Sequence, residues 1–253
     1  MPDTPAYPIR SVDHALIVLD LFAQRQRASI NQIAREIGVS PSTASRLVAM
    51  LVLHGYVERD ESSRAYVIGP KLHDIGIRAI REREIREQAR PHIEAIAAET
   101  GETTQLAVLA GQTIVFLDGV EGRHPQHVAS YAGPQMPAHS MASGKALLAE
   151  LPPGELLALY PTDALPHVTA KTVRTREQLL RDLRGVKLRG YATSRGEARP
   201  GVSVVAVPVR DALGHVRASL GIAAPAAKVN ERIEQRFAGL LVRTAGAIGK
   251  TLS

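Results

Sequence analysis

The sequence predicts an α+β fold, three short amphipathic helices and a hairpin first and antiparallel strands with helices at intervals after them. The first observation behind this is the period, which is helical over residues 12–54 and becomes mainly alternating after residue 100. The second is size: 253 residues that are 45% hydrophobic can bury one large core or two ordinary ones.

Taken in order, VDHALIVLDLFA spaces Val12, Ala15, Leu16, Leu19 and Phe22 as a helix, with Ser11 as its expected N-cap. Ser29 precedes INQIAREIG, a short helix stopped by Gly38. Ser40 caps a third helix whose first residue is Pro41, where a missing N–H costs nothing. Its stripe is Ala44, Leu47, Val48 and Leu51, and Gly55 is its stop. YVERDESSRAYVIG is two apolar runs about a charged turn, hence a hairpin. Three helices and then a hairpin is the order of a winged helix-turn-helix.

A charged stretch with Leu72, Ile75, Ile77 and Ile80 follows, giving an expected organisation of residues 1–70, a linker helix over 71–83, and a second domain over 84–253. In the latter, PHIEAIAAETG is a helix, TTQLAVLAGQTIVFLDGV two strands about Gly111, and QHVASYA a strand. MASGKALLAELP and REQLLRDLRGVKLRG are helices. VSVVAVPVRDALGHVRASLGIAAP is a hairpin of two long strands, and Lys228 to Thr251 a last helix.

Composition excludes several function classes. With 4% aromatic residues and no Trp, base-stacking readers of single strands are disfavoured. The absence of Cys removes disulfides, thiolate nucleophiles and Cys-ligated zinc together. No apolar leader or 20-residue apolar run stands in the chain, so a cytoplasmic, membrane-free protein is expected. The net charge of +6 invites a nucleic-acid reading, yet residues 1–80 hold 9 Arg and Lys against 8 Asp and Glu. Bulk charge therefore does not locate a DNA site.

The third helix, with the short helix and tight turn before it and the hairpin after it, offers a candidate one. Opposite its apolar stripe lie Ser42, Arg46 and Ala49, flanked by Thr43 and Ser45, where a solvated helix usually carries Glu, Lys or Gln. With Ser40, these small hydroxyl residues allow close approach to a phosphate backbone and leave Arg46 for a phosphate or a guanine edge. Taken alone they could equally be residues that favour a helix start. Arg59 and Arg64 flank the wing turn and could meet phosphates or simply be solvated. Weak charge in one module calls for two modules on a two-fold axis reading a palindrome, with the connecting helix as the natural place to pair.

SVDHALIVLDLF, INQIAREIGVSPSTASRLVAMLVLHGYV, YVIGPKL, TGETTQLAVL, PAHSMASGKALLA, RGYATSRGEARPGVSVVAVPVRD and ASLGIAAP, in this order from about Ser11 onward, resemble the IclR family of bacterial transcriptional regulators. The resemblance implies a C-terminal effector-binding domain of the GAF- or profilin-like kind with an antiparallel sheet, and a homodimer or homotetramer. It implies an effector pocket walled by His139 to Lys145, a loop from Tyr191 to Glu197, and the last two strands. The effector-binding residues it nominates are His139, Ala142, Ser143, Ser194, Glu197, Val204, Gly221 and Ala223. The chain departs from the family where several members have Asp (Ser194), many have Cys (Val204), and some have two Ser (Gly221 and Ala223). Fewer donors and more room favour a larger, less polar acid, aromatic or alicyclic, over a two- or three-carbon oxoacid.

Other chemistries fare poorly. SMASGK spaces neither Ser140 nor Ser143 three residues before Lys145, and GxxxxGK[ST] is absent. His124, His127 and His139 lack the spacing and partners of a zinc site. Glu197 has no evident catalytic partner. The expectation is a ligand-responsive regulator of a double-stranded operator, a repressor of a catabolic operon, with no metal, cofactor or catalytic residue. The alternative is an enzyme or protein-binding sensor carrying the helix-turn-helix as an accessory.

Overall fold

The computed structural model describes residues 7, 9–123, 128 and 136–252. The chain divides into two compact units, Met1–Arg81 and Glu82–Ser253.

In the first unit α1 spans Arg10–Gln24. Its N-cap is Ile9, whose carbonyl accepts from the backbone N–H groups of Val12 and Asp13. Ser11, expected as the cap, therefore lies inside the first turn. The two-residue β1 (Ala28–Ser29) leads into α2 (Ile30–Glu36). There Ser29 and Gln32 satisfy each other's backbone N–H groups in a capping box. α3 (Pro41–Leu53) opens on Ser40, whose hydroxyl accepts from the Thr43 N–H. Ala44 and Val48 of the α3 stripe are fully buried against Val18, Phe22, Ile33 and Val57, while Leu47 and Leu51 close the margin of this core. β2 (Val57–Arg59) and β3 (Ala65–Ile68) form the expected hairpin. β1 adds a third strand in the order β1-β3-β2, too short to show a period in the sequence.

α4 runs without interruption over Pro70–Thr100, whereas the sequence suggested a linker helix over 71–83 and a separate helix from Pro91. Pro91 lies inside it because Ile85, Ala89, Ile93 and Ile96 share one buried stripe across the proline. Burying that stripe outweighs the roughly 3 kcal/mol that an interior proline costs.

The second unit is built on a six-stranded antiparallel sheet in the order β6-β5-β4-β9-β8-β7. β4 (Thr103–Ala110) and β5 (Thr113–Val120) turn at Gly111. β6 is the short Met136–Pro137, and the expected QHVASYA strand, with His124 and His127, lies outside the described residues. α5 covers Ala142–Leu148 and α6 covers Pro153–Leu159, so the expected MASGKALLAELP helix ends earlier and a second, unforeseen one follows. α7 (Arg176–Arg189) is capped by Thr175 and stopped by Gly190 at φ 80°. β7 (Ala192–Arg195) is a strand where a loop was expected. β8 (Val202–Arg210) and β9 (Val216–Pro225) are the long hairpin, and α8 (Glu231–Gly249) starts at the Asn230 cap.

Alternation divides the sheet into two faces. Leu106, Val205, Val207, Leu220 and Ile222 face one way and pack with residues of α4 and α8. Ala107, Ala192 and Ala206 face the other, toward α5, α6 and α7. Small side chains on this second face leave the helices, rather than the strands, to fill it.

Candidate functional site

Two sets of residues were singled out in the sequence, one in each unit. In the first, Ser40, Ser42, Thr43, Ser45 and Arg46 come together at the start of α3 and are largely exposed. The Ser40 hydroxyl lies 2.9 Å from that of Ser42 and 3.0 Å from that of Thr43, so the helix start is a small pre-ordered hydroxyl cluster. One turn on, Arg46 is exposed and makes no ion pair among the described residues. The turn before α3 needs Gly38 at φ 68°, a left-handed conformation that side chains disfavour.

Arg59 and Arg64 are exposed at the two ends of the wing turn. Asp60 organises the turn: its carboxylate accepts from the Ser62 N–H and hydroxyl and from the Ser63 hydroxyl, and pairs with Arg27 at 3.1 Å. These bonds, those from Ser62 foremost, lower its pKa to about 2.

In the second unit the strand register gathers four of the nominated effector residues. Ser194 pairs with Val204, Val204 with Ala223, and Ala223 with Thr103, one row across β7, β8, β9 and β4. Two residues along, and so on the same face, the next row is Ala192, Ala206, Gly221 and Gln105. α5 packs on this face with Ala142 and Ser143 buried. A Cβ at Gly221 would stand 3.3 Å from the Ser143 hydroxyl oxygen.

Three of the nominated residues, Ser194, His139 and Glu197, have partners within the protein. The Ser194 hydroxyl donates to the Ser140 carbonyl at 2.9 Å. His139 is 1% exposed; its Nε2 donates to the Pro166 carbonyl at 2.8 Å, and its ring meets Tyr160 edge-on. Burial lowers the His139 pKa below its ordinary value, favouring the neutral ring. Glu197 accepts from Lys145 at 2.7 and 2.9 Å, and Lys145 also reaches Asp182 at 3.1 Å. Thr169 and Thr172 hold the carbonyls of Gly196 and Glu197. Glu197 therefore ties the segment after β7 to α5. No group of three or more His, Asp or Glu suited to a metal ion occurs among the described residues.

Sequence reasoning missed Gln105 and the structural use of Lys145. Gln105 had a signal: a long polar side chain alternating with Leu106 and Val108 in an otherwise apolar strand. Lys145 had none, because its partners are 37 and 52 residues away.

Residues 11–61 match the model of the IclR helix-turn-helix domain, and residues 77–250 match that of the bacterial transcriptional regulator IclR C-terminal domain. The chain belongs to the IclR family. Among curated IclR-type relatives it is 32% identical over 245 residues to the HTH-type transcriptional regulator XynR of Escherichia coli, covering 96% of this chain and 97% of that one. It is 30% identical over 223 residues to the regulator BhcR of Paracoccus denitrificans, covering 88% and 80%. The crystal structure of the Thermotoga maritima IclR superposes with a TM-score of 0.64 at 30% identity, over 96% of this chain and 98% of that one. An IclR homologue from Microbacterium hydrocarbonoxydans, complexed with 4-hydroxybenzoate, superposes with a TM-score of 0.62 at 28% identity, over 96% and 98%. The chain is accordingly a DNA-binding, effector-responsive transcriptional regulator of α+β fold, and its relatives are named as regulators rather than enzymes.

Proposed function

We propose that this IclR-family regulator represses a catabolic operon in the cytoplasm. Paired winged helices grip a palindromic operator, and an organic acid larger and less polar than a short oxoacid releases them. The observation that carries the ligand class is the second face of the sheet. Val204, Gly221 and Ala223 present no side-chain donor there, and the Ser194 hydroxyl is already given to Ser140. A site so lined recognises its ligand mainly by burial of apolar surface. The aromatic acid bound by the Microbacterium homologue fits this reading.

On the DNA side, α3 would enter the major groove with Ser40, Ser42, Thr43 and Ser45 near phosphates and Arg46 on a base edge or phosphate, while Arg59 and Arg64 of the wing meet the backbone. Pairing is supported by the exposed apolar residues Val12 and Leu16 on α1 with Ile9 at its cap, and by exposed Ile75, Ile77 and Ile80 on α4. Exposed apolar groups of this kind mark surfaces that a partner covers.

A thermal-shift panel of pyruvate, glyoxylate, benzoate, 4-hydroxybenzoate and cyclohexanecarboxylate tests the ligand class, since a ligand that binds only the folded state raises Tm. The reading expects the ring acids to stabilise the protein and fails when only the oxoacids do. Footprinting of the upstream region, with and without the stabilising acid, tests the operator: two protected half-sites about 10 base pairs apart, or a multiple of that, are expected.

A further inference from the structure

Gln105 sits in the middle of β4, 4% exposed, paired across the ladder with Gly221. Its side chain thus lies on the face beneath α5, beside a glycine that contributes no atoms and the methyl group of Ala206. Its Nε2 is buried and donates to nothing. Buried amide donors are almost always paired, because stripping their water without replacing it is unfavourable.

Three polar side chains of the neighbouring strand positions on this face are satisfied. Thr103, one row along, gives its hydroxyl to the Val128 carbonyl, Ser194 gives its own to Ser140, and Ser219, in the row beyond Gly221, gives its own to Ala107. Of these strand side chains the Gln105 amide nitrogen is the donor left over. The Ser143 hydroxyl of α5 lies over its ladder partner Gly221, and the Tyr160 hydroxyl, in the same packed cluster, is likewise buried without a partner. A Leu would fill the position as Leu106 fills the next, without an unpaired donor.

We propose that Gln105 determines effector specificity, its Nε2 donating to an acceptor oxygen, carboxylate or carbonyl, of the bound acid. This rests on the reading of that face as the effector site. It adds to that reading a reason why a site lined by Val204, Gly221 and Ala223 would favour ligands with an acceptor oxygen: the buried amide nitrogen has no partner within the protein. Because the donor is neutral, binding strength depends on an acceptor in the right place rather than on a counter-charge.

The test uses the full chain with wild-type Gln105, Gln105→Leu and Gln105→Met, of which the second replacement matches the original length. Calorimetric titration with benzoate, 4-hydroxybenzoate, cyclohexanecarboxylate and pyruvate is paired with thermal unfolding without ligand. Loss of a hydrogen bond to a carboxylate predicts about tenfold or greater weakening of whichever acid the wild type binds. Ligand-free Tm is expected to be equal to or above that of the wild type, because no bond within the protein is lost. Binding within twofold of wild type in either folded variant overturns the role of Gln105 and leaves the effector reading intact. A ligand-free Tm several degrees lower in both variants shows a structural amide and overturns it as well. Failure of all four acids to bind the wild type overturns the acid-site reading itself, and this inference with it.

Discussion

At the scale of single residues, the two sites differ in how much of their chemistry is already spent inside the protein. Arg46 is exposed and unpaired among the described residues, so its whole guanidinium is available to DNA. Arg46→Ala should weaken operator binding by about 1–3 kcal/mol and relax one base position if it reads a base, or reduce the salt slope by about one if it touches only phosphate. Operator titration at several salt concentrations distinguishes these outcomes, and no change in either respect removes Arg46 from the contact list. Lys145 is the opposite case, 3% exposed with its ammonium divided between Glu197 and Asp182. Lys145→Met leaves Glu197 largely buried without its partner and should cost about 3–5 kcal/mol, read as a lower denaturation midpoint. Asp60 gives a pH signature. Its pKa falls from 3.8 to about 2 on folding, so the stability it contributes is full above pH 3.8 and is lost as pH falls through about 2. In acid titrations followed by circular dichroism, Asp60→Ala should lose that part of the wild-type dependence.

At the scale of elements, glycines and caps decide where helices sit. The Ser40 and Ser29 caps were legible because each side chain satisfies a backbone donor only three residues away, whereas the Asn230 cap of α8 went unread inside a helix expected from Lys228. Gly144 was not. It looks like an ordinary residue in SMASGK, yet a Cβ there would stand 2.1 Å from the Ala138 carbonyl oxygen, because α5 lies directly against the 3-10 turn of Ala138–Ser140. Gly144→Ala must push α5 away from that turn, at a cost of about 1–3 kcal/mol. Chemical denaturation should show this loss, and an unchanged midpoint would mean that α5 shifts freely. The same kind of long-range contact hid the continuity of α4. Pro91 reads as a breaker locally, and only the buried stripe from Ile85 to Ile96 overrules it.

At the scale of the whole molecule, function requires that effector binding in one unit change the affinity of the other for DNA. That coupling is typically about 1–3 kcal/mol and must be reciprocal, so operator DNA should alter effector affinity by the same factor. The near-neutral charge of residues 1–80 is the reason pairing is proposed as a condition of tight binding. Leu16→Glu, on the exposed face of α1, should lower the dimer population in sedimentation velocity and weaken operator binding together. Retention of both in this variant would move the pairing surface elsewhere.

The sequence alone determined the helix-turn-helix, its caps, the wing hairpin and the alternation of the long strands, because each rests on interactions within a few residues and on periods of 3.6 or 2. Family motifs then nominated residues for an effector site. Tertiary structure decided what those residues have left to offer. Pairing across β7, β8, β9 and β4 set Ser194, Val204, Ala223 and Gly221 side by side, committed Glu197 to Lys145, and left the Gln105 amide without a partner. The physical reason is that a hydrogen bond spanning tens of residues leaves no trace in local pattern, and whether a buried polar group is satisfied is known only once every neighbour is in place.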